Sequence, residues 1–215
     1  MLEANPPDLD CKEGKIFVRG SPQKFLPFAE VASAAVYRRG GSPVLGQGTF
    51  IPASELADST RYGNISGTYA FGAQAAEVEV DEETGEVRVL QIAAAHDVGR
   101  PINLSATEGQ IEGATIQGMG YALSEDVRYE RGVMLAASFL NYRIPTALDA
   151  PSMKTFLVET VDPGPFGAKG VAEPAMTPTA PAIANAIYDA VGVRIKTLHI
   201  TPQRIMEALK KKKKP

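Results

Sequence analysis

Residues Phe71–Leu123 read FGAQAAEVEVDEETGEVRVLQIAAAHDVGRPINLSATEGQIEGATIQGMGYAL, and the residue period changes along them. Thr68–Val80 is rich in small residues and alternates, with Val78 and Val80 on one side. Asp81-Glu82-Glu83-Thr84-Gly85 is a turn signal, and Glu86–Ala95 alternates again through Val87 and Val89. Two alternating runs about a glycine-ended turn predict a β-hairpin. Beyond His96 the alternation stops, and Thr107–Leu123 predicts a helix that Asn103, Ser105 or Thr107 can cap.

Working outward, Lys15–Val18 predicts a strand after the turn Lys12-Glu13-Gly14. Phe28–Arg38 predicts a helix, because Phe28, Val31, Ala32, Ala35 and Val36 recur at helical spacing. Gly40–Gly67 is rich in Gly, Ser and Pro and reads mostly as loop. Downstream, Val127–Tyr129, Met134–Asn141, Lys154–Thr160 and Arg194–Ile200 are predicted strands. Ala180–Val191 is a predicted helix capped by Thr177 or Thr179 and ended by Gly192, and Gln203–Lys210 is another, led by Pro202. Hairpins and separate helices together predict an α+β fold of mixed sheets with packed helices. There is no internal repeat.

The chain has 215 residues, 44% of them apolar, enough for one large domain or two small lobes. A net charge of -3 argues against nucleic acid as a partner, since phosphate binding requires a basic face. Cys11 is the only cysteine, so neither a disulfide within the chain nor a cysteine-held metal or iron-sulfur site can form. His96 and His199 are too few for a histidine metal site. No apolar run approaches the roughly 18 residues of a membrane helix. The acidic, proline-bearing start MLEANPPDLD is unlike a signal peptide, and a soluble cytoplasmic protein is expected. The lysines Lys210–Lys214 read as a solvated helix end that suits the helix dipole.

Two stretches could carry chemistry. In GAKGVAEPAM, Gly167–Met176, a single carboxylate, Glu173, stands among small apolar residues. A carboxylate buried in such company is poised to move protons near neutral pH. Gly167 and Gly170 allow close backbone approach, and Pro174 biases Glu173 toward an extended loop. A turn with an exposed acid accounts for the same local pattern. In EGQIEGATIQGMG, four glycines (Gly109, Gly113, Gly118 and Gly120) fall in the predicted helix. Each costs about 1 kcal/mol relative to alanine. Gln110 and Gln117 share a face with Ala114 between them, where a flat hydrogen-bonding ligand could lie; tight helix packing explains the glycines equally well. His96-Asp97 resembles part of a catalytic triad, but no nucleophile elbow is present and a structural corner is the better reading.

These features, in this order, resemble the molybdenum-binding subunit of the xanthine dehydrogenase family. The match runs through Phe71–Asp81, through His96–Asn103 with Glu108–Gly120, and through Gly167–Pro174. Residues 1–66 match least and are expected to be a leading segment and linker of the same domain, with 67–215 as the cofactor-binding region. The resemblance implies the C-terminal molybdopterin-binding portion, a third or less, of a molybdenum hydroxylase large subunit. The activity implied is oxidation of an electron-poor carbon with water-derived oxygen, with Glu173 as general base. It implies that Gln110, and more weakly Gln117, hydrogen-bond the molybdopterin and that Gly170 and Val171 place backbone beside the metal centre. Ala172 departs from the family, which often has glycine before the glutamate. The remainder of the molybdenum subunit, and partner subunits holding iron-sulfur clusters and FAD, would be supplied by other chains. The alternative is a non-catalytic assembly subunit that completes the fold of such a complex.

Overall fold

Glu13 and Gly14, with φ of 52° and 71°, turn the chain between Leu9–Lys12 (β1) and Lys15–Val18 (β2). Ser21–Pro27 (β3) adds on the far side of β2, giving an antiparallel sheet ordered β1-β2-β3. Only β2 is legible from sequence, because β1 and β3 are largely exposed and carry little apolar alternation. Phe28–Tyr37 (α1) follows. In this computed structural model, residues 1–38, 40–60 and 62–212 are described. They fall into two compact units, Met1–Thr49 and Phe50–Pro215.

The second unit is built on the hairpin read above. Gly72–Val80 (β4) and Val87–Asp97 (β5) pair antiparallel. The register slips once: Glu77 pairs with Gln91 and Val78 with Val89, so Leu90 is the extra residue of a β-bulge. The slip reverses which residues of β5 face inward. Val87 and Val89 point to the core before it; Ile92, Ala94 and His96 do so after it. Simple alternation from Val87 would have turned His96 outward.

Leu104–Leu123 (α2) crosses from β5 toward Ser152–Val158 (β8), which pairs parallel to β5, so the sheet is mixed and ordered β4-β5-β8. Between them, Tyr129–Glu130 (β6) and Val133–Met134 (β7) make a two-residue ladder. The strand expected over Met134–Asn141 is therefore absent beyond Met134. Phe139 and Leu140 are exposed, and the segment closes in local turns through Ser138.

Thr179–Val191 (α3) and Pro202–Lys212 (α4) complete the core. Val89 and Ile92 meet Met119 and Ala122 of α2, Ile183 and Ile187 of α3, and Ile205 and Leu209 of α4. Gly118 lets α2 approach α3 closely: a Cβ there would lie 2.6 Å from Thr179 Cβ. Gly192, at φ 68°, ends α3 as expected. No side chain caps the start of α3, because Pro178, which has no side-chain acceptor, holds the N-cap position; the Thr179 hydroxyl donates to Gln74 instead.

Arg194–Ile200 is not a strand. The Arg204 guanidinium donates to the carbonyls of Thr197 (3.0 Å) and His199 (2.5 Å), and Ile200 N–H donates to Ala122 O (2.8 Å). The groups a strand would offer to a neighbour are thus taken by a side chain and a helix end. Lys212 donates to Val191 O at 3.0 Å, while Lys213 and Lys214 of the lysine run lie outside the described residues. Among the described residues no helix is long and apolar enough to cross a membrane.

Candidate functional site

The parallel strands β5 and β8 end at Asp97 and Val158, and the loop 159–178 runs beyond these ends. Ligand sites in sheets with parallel strands characteristically lie there. The loop is stitched to the residues just beyond β5. Arg100 N–H donates to Gly167 O (2.8 Å), and Lys169 N–H to Val98 O (3.0 Å). Gly99 stands at φ 57° against Gly167 O, where no side chain fits.

A buried ion pair locks this junction. Lys169 Nζ lies 2.6 Å from Asp97 Oδ2, with the two side chains only 8% and 5% exposed. Nζ also donates to Tyr69 O (2.8 Å) and sits 3.9 Å from Asp162 Oδ2. The other Asp97 oxygen accepts from the Thr160 hydroxyl (2.7 Å) and Gly99 N–H (3.2 Å). Burial pushes the Asp97 carboxyl pKa up. The hydrogen bonds from Lys169, Thr160 and Gly99, with the Lys169 charge, outweigh it and hold the pKa below 3.8. The His96-Asp97 corner is thus structural, and the partner of Asp97 is Lys169.

His96 is 3% exposed. Burial holds the imidazole below its ordinary 6.5. Its Nε2 lies 3.4 Å from the Gln74 amide nitrogen. Gly72 is required beside it, since a Cβ would lie 2.6 Å from the ring. Both depressed values make stability fall as pH drops. The His96 contribution is complete above pH 6.5 and is lost as pH falls from there through the folded value. The Asp97 contribution is complete above 3.8 and is lost below it. Urea midpoints measured against pH should show both losses, and His96→Gln should remove the upper one alone.

The Glu173 loop packs on α2. Val171, Ala175 and Met176 join Ile111 and Ala114 of that helix in one apolar cluster. Ala114 lies one turn beyond Gln110 and just under one turn before Gln117. Glu173 itself opens a single 3-10 turn, Glu173–Ala175, rather than an extended loop. Met176 N–H closes the turn on Glu173 O at 2.9 Å, and Pro174 fits within such a first turn. Of the two local readings, the turn with an exposed acid is the one found: Glu173 is exposed, and its carboxylate has no partner among the described residues. Ala172 is exposed, with φ -174° and ψ -102°.

The remaining expected site residues divide. Gln110 and Val171 line one cleft of about 250 Å³, with Asn103, Ala106, Ala168 and Lys169. Asn103 also caps α2, accepting from Ala106 N–H at 3.0 Å. Gln117 and Gly170 are exposed and outside the cleft. The four glycines of α2 serve two purposes. Gly118 and Gly120 are packed, whereas a Cβ on Gly109 or Gly113 would meet nothing within 4 Å. Ala106, Gln110, Gly113 and Gln117 therefore form an open face that is flat and carries two amides. Among the described residues no three His, Cys, Asp or Glu side chains gather as a metal site.

Two residues that sequence reasoning did not single out are central here. Lys169 stands in the quoted glutamate loop, and its isolation among small residues was the available signal. Gln74 joins β4 to the Glu173 turn and to α3. Nothing in its local sequence separates it from other polar strand residues.

Comparison with known proteins gives this geometry its context. Residues 1–151 match the molybdopterin cofactor-binding domain family. Subunit gamma of the 6-hydroxypseudooxynicotine dehydrogenase complex of Paenarthrobacter nicotinovorans is 35% identical over 95% of this chain and 25% of its own length. The xanthine dehydrogenase molybdenum-binding subunit of Escherichia coli O157:H7 is 36% identical over 96% of this chain and 27% of its own. The crystal structure of quinoline 2-oxidoreductase from Pseudomonas putida 86 superposes with a TM-score of 0.66 and 33% identity, covering 97% of this chain and 26% of that one. The chain thus spans about a quarter of the length of the curated relatives it matches. It belongs to the molybdopterin cofactor-binding domain family, as a segment matching the molybdenum-binding subunits of xanthine dehydrogenase-type enzymes.

Proposed function

We propose that this chain forms one wall of the cofactor pocket in a molybdenum hydroxylase and supplies its general base, Glu173, with residues 67–215 as the cofactor-binding region. The observation that carries the reading is the packing of the Glu173 turn onto α2 beside Gln110, with the carboxylate left unpaired. The open face of α2 fits the pterin part of the cofactor. Its small residues admit a flat ring, and the Gln110 amide offers both a donor and an acceptor. Gln117 is the second amide on that face. Gly170 and Val171 present backbone N–H groups that have no acceptor among the described residues.

When bound, the molybdenum-pterin group supplies the electron-accepting centre for oxidation of an electron-poor carbon. This chain's part is to orient the pterin through Gln110 and to take a proton, on a Glu173 carboxylate oxygen, from the water-derived nucleophile. The remainder of the molybdenum subunit would close the pocket over Glu173. Iron-sulfur and flavin subunits would carry electrons away, a reading supported by the first relative's designation as one subunit of a dehydrogenase complex.

The test is purification of the complex containing this chain, with molybdenum quantified and oxidation assayed on a purine, an aldehyde, a nitrogen heteroaromatic and carbon monoxide. A complex with stoichiometric molybdenum that oxidises none of these would favour the assembly-subunit reading. Gly113→Ala probes the pterin face more directly. A helical alanine replaces glycine without clash, so the chain should gain about 1 kcal/mol. The methyl should at the same time lower pterin occupancy of the complex. Unchanged occupancy, measured by release and fluorescence of the oxidised pterin, would count against the face.

A further inference from the structure

We propose that Gln74 is the positioning residue for Glu173, fixing the direction in which the carboxylate is presented. The inference rests on the reading of Glu173 as the base. The Glu173 carboxylate has no hydrogen-bond or ion-pair partner among the described residues, so its direction follows the backbone of its turn. That turn is held at both ends. Upstream, Lys169 is clamped to Asp97. Downstream, the Gln74 amide donates to Ala175 O at 2.6 Å.

Every polar atom of the Gln74 amide is used. Besides Ala175 O, Nε2 reaches Thr115 Oγ1 of α2 at 3.2 Å and His96 Nε2 at 3.4 Å. Oε1 accepts from the Thr179 hydroxyl at 2.7 Å. The amide therefore has one orientation, because a flip would set its oxygen against the Ala175 carbonyl. Ala175 is 1% exposed, so without the amide its carbonyl would be cut off from water and left with the Thr179 hydroxyl alone, at 3.4 Å. One side chain on β4 thereby locks the turn against α2 and α3. The β-bulge at Leu90 makes this possible by placing His96 on the same side of the sheet as Gln74.

The test uses the assembled enzyme carrying Gln74→Leu, which keeps bulk and removes the amide. Thr179→Val, which removes the hydroxyl that orients the Gln74 amide, and Thr179→Ser, which keeps it, form a second and gentler pair, should the first variant fold poorly. Hydrogen exchange of residues 172–176 is expected to rise about tenfold in Gln74→Leu and Thr179→Val, with α2 and α3 unchanged and Thr179→Ser close to wild type. With whichever assay compound turns over, kcat should fall up to about 100-fold, as for a base displaced by roughly 1 Å. KM and molybdenum content should hold, and the acidic limb of the kcat/KM profile should move. Unaltered exchange at 172–176, or a kcat loss with no change in that limb, would overturn the proposal. A Glu173→Gln enzyme that retains turnover would instead overturn the base assignment, whatever Gln74 does.

Discussion

Glu173→Gln in the assembled enzyme is expected to lower turnover by about 10²–10⁴-fold, the range of a positioned general base. Molybdenum and pterin contents should stay at wild-type level. The substitution keeps the shape of the side chain and removes only its capacity to accept a proton. Because the carboxylate is exposed and unpartnered among the described residues, folding should be untouched. A surface change of this kind alters stability by less than about 0.5 kcal/mol. The decisive comparison is therefore turnover at equal molybdenum loading and equal melting temperature. Turnover within a few-fold of wild type would remove Glu173 from the mechanism.

Lys169→Met should have the largest effect on stability. It leaves the Asp97 carboxylate buried, with Thr160 and Gly99 as donors but no countercharge. Breaking one side of a buried pair costs about 3–5 kcal/mol. For a chain of this size that corresponds to a fall in melting temperature of roughly 10 °C. The loss should appear first at the junction of Gly99 with Gly167–Lys169, and so in the loop that carries Glu173. Asp97→Leu combined with Lys169→Met should be milder than Lys169→Met alone, since neither charge is then stranded. Thermal denaturation of Asp97→Leu, Lys169→Met and the double variant separates the cases. If the double variant melts well below both single ones, the pair is not the lock described here.

Much of the fold was legible because its elements obey local rules. The hairpin shows a period of two about a glycine-ended turn, α2 starts at an Asn cap, α3 stops at a left-handed glycine, and α4 begins at proline. The failures share a cause as well. Met134–Asn141 and Arg194–Ile200 have apolar or β-branched residues, but beyond Met134 no strand among the described residues pairs with either. In the second, Arg204 takes the carbonyls. Strand propensity describes a side chain's fit to a pleated surface and cannot supply the neighbour.

Sequence by itself determined the family, the α+β class, the solitary acid at Glu173 and the amide-bearing helix with Gln110. All of these are patterns of residue type at short spacing. Tertiary structure alone decided which partners those residues have. Lys169 finds Asp97 across 72 residues, and Gln74 finds Ala175 across 101. One unpaired residue, Leu90, turns His96 inward toward Gln74. It also decided between the two local readings of Glu173, in favour of the exposed acid. Burial is a property of what covers a side chain, and among the described residues none covers Glu173.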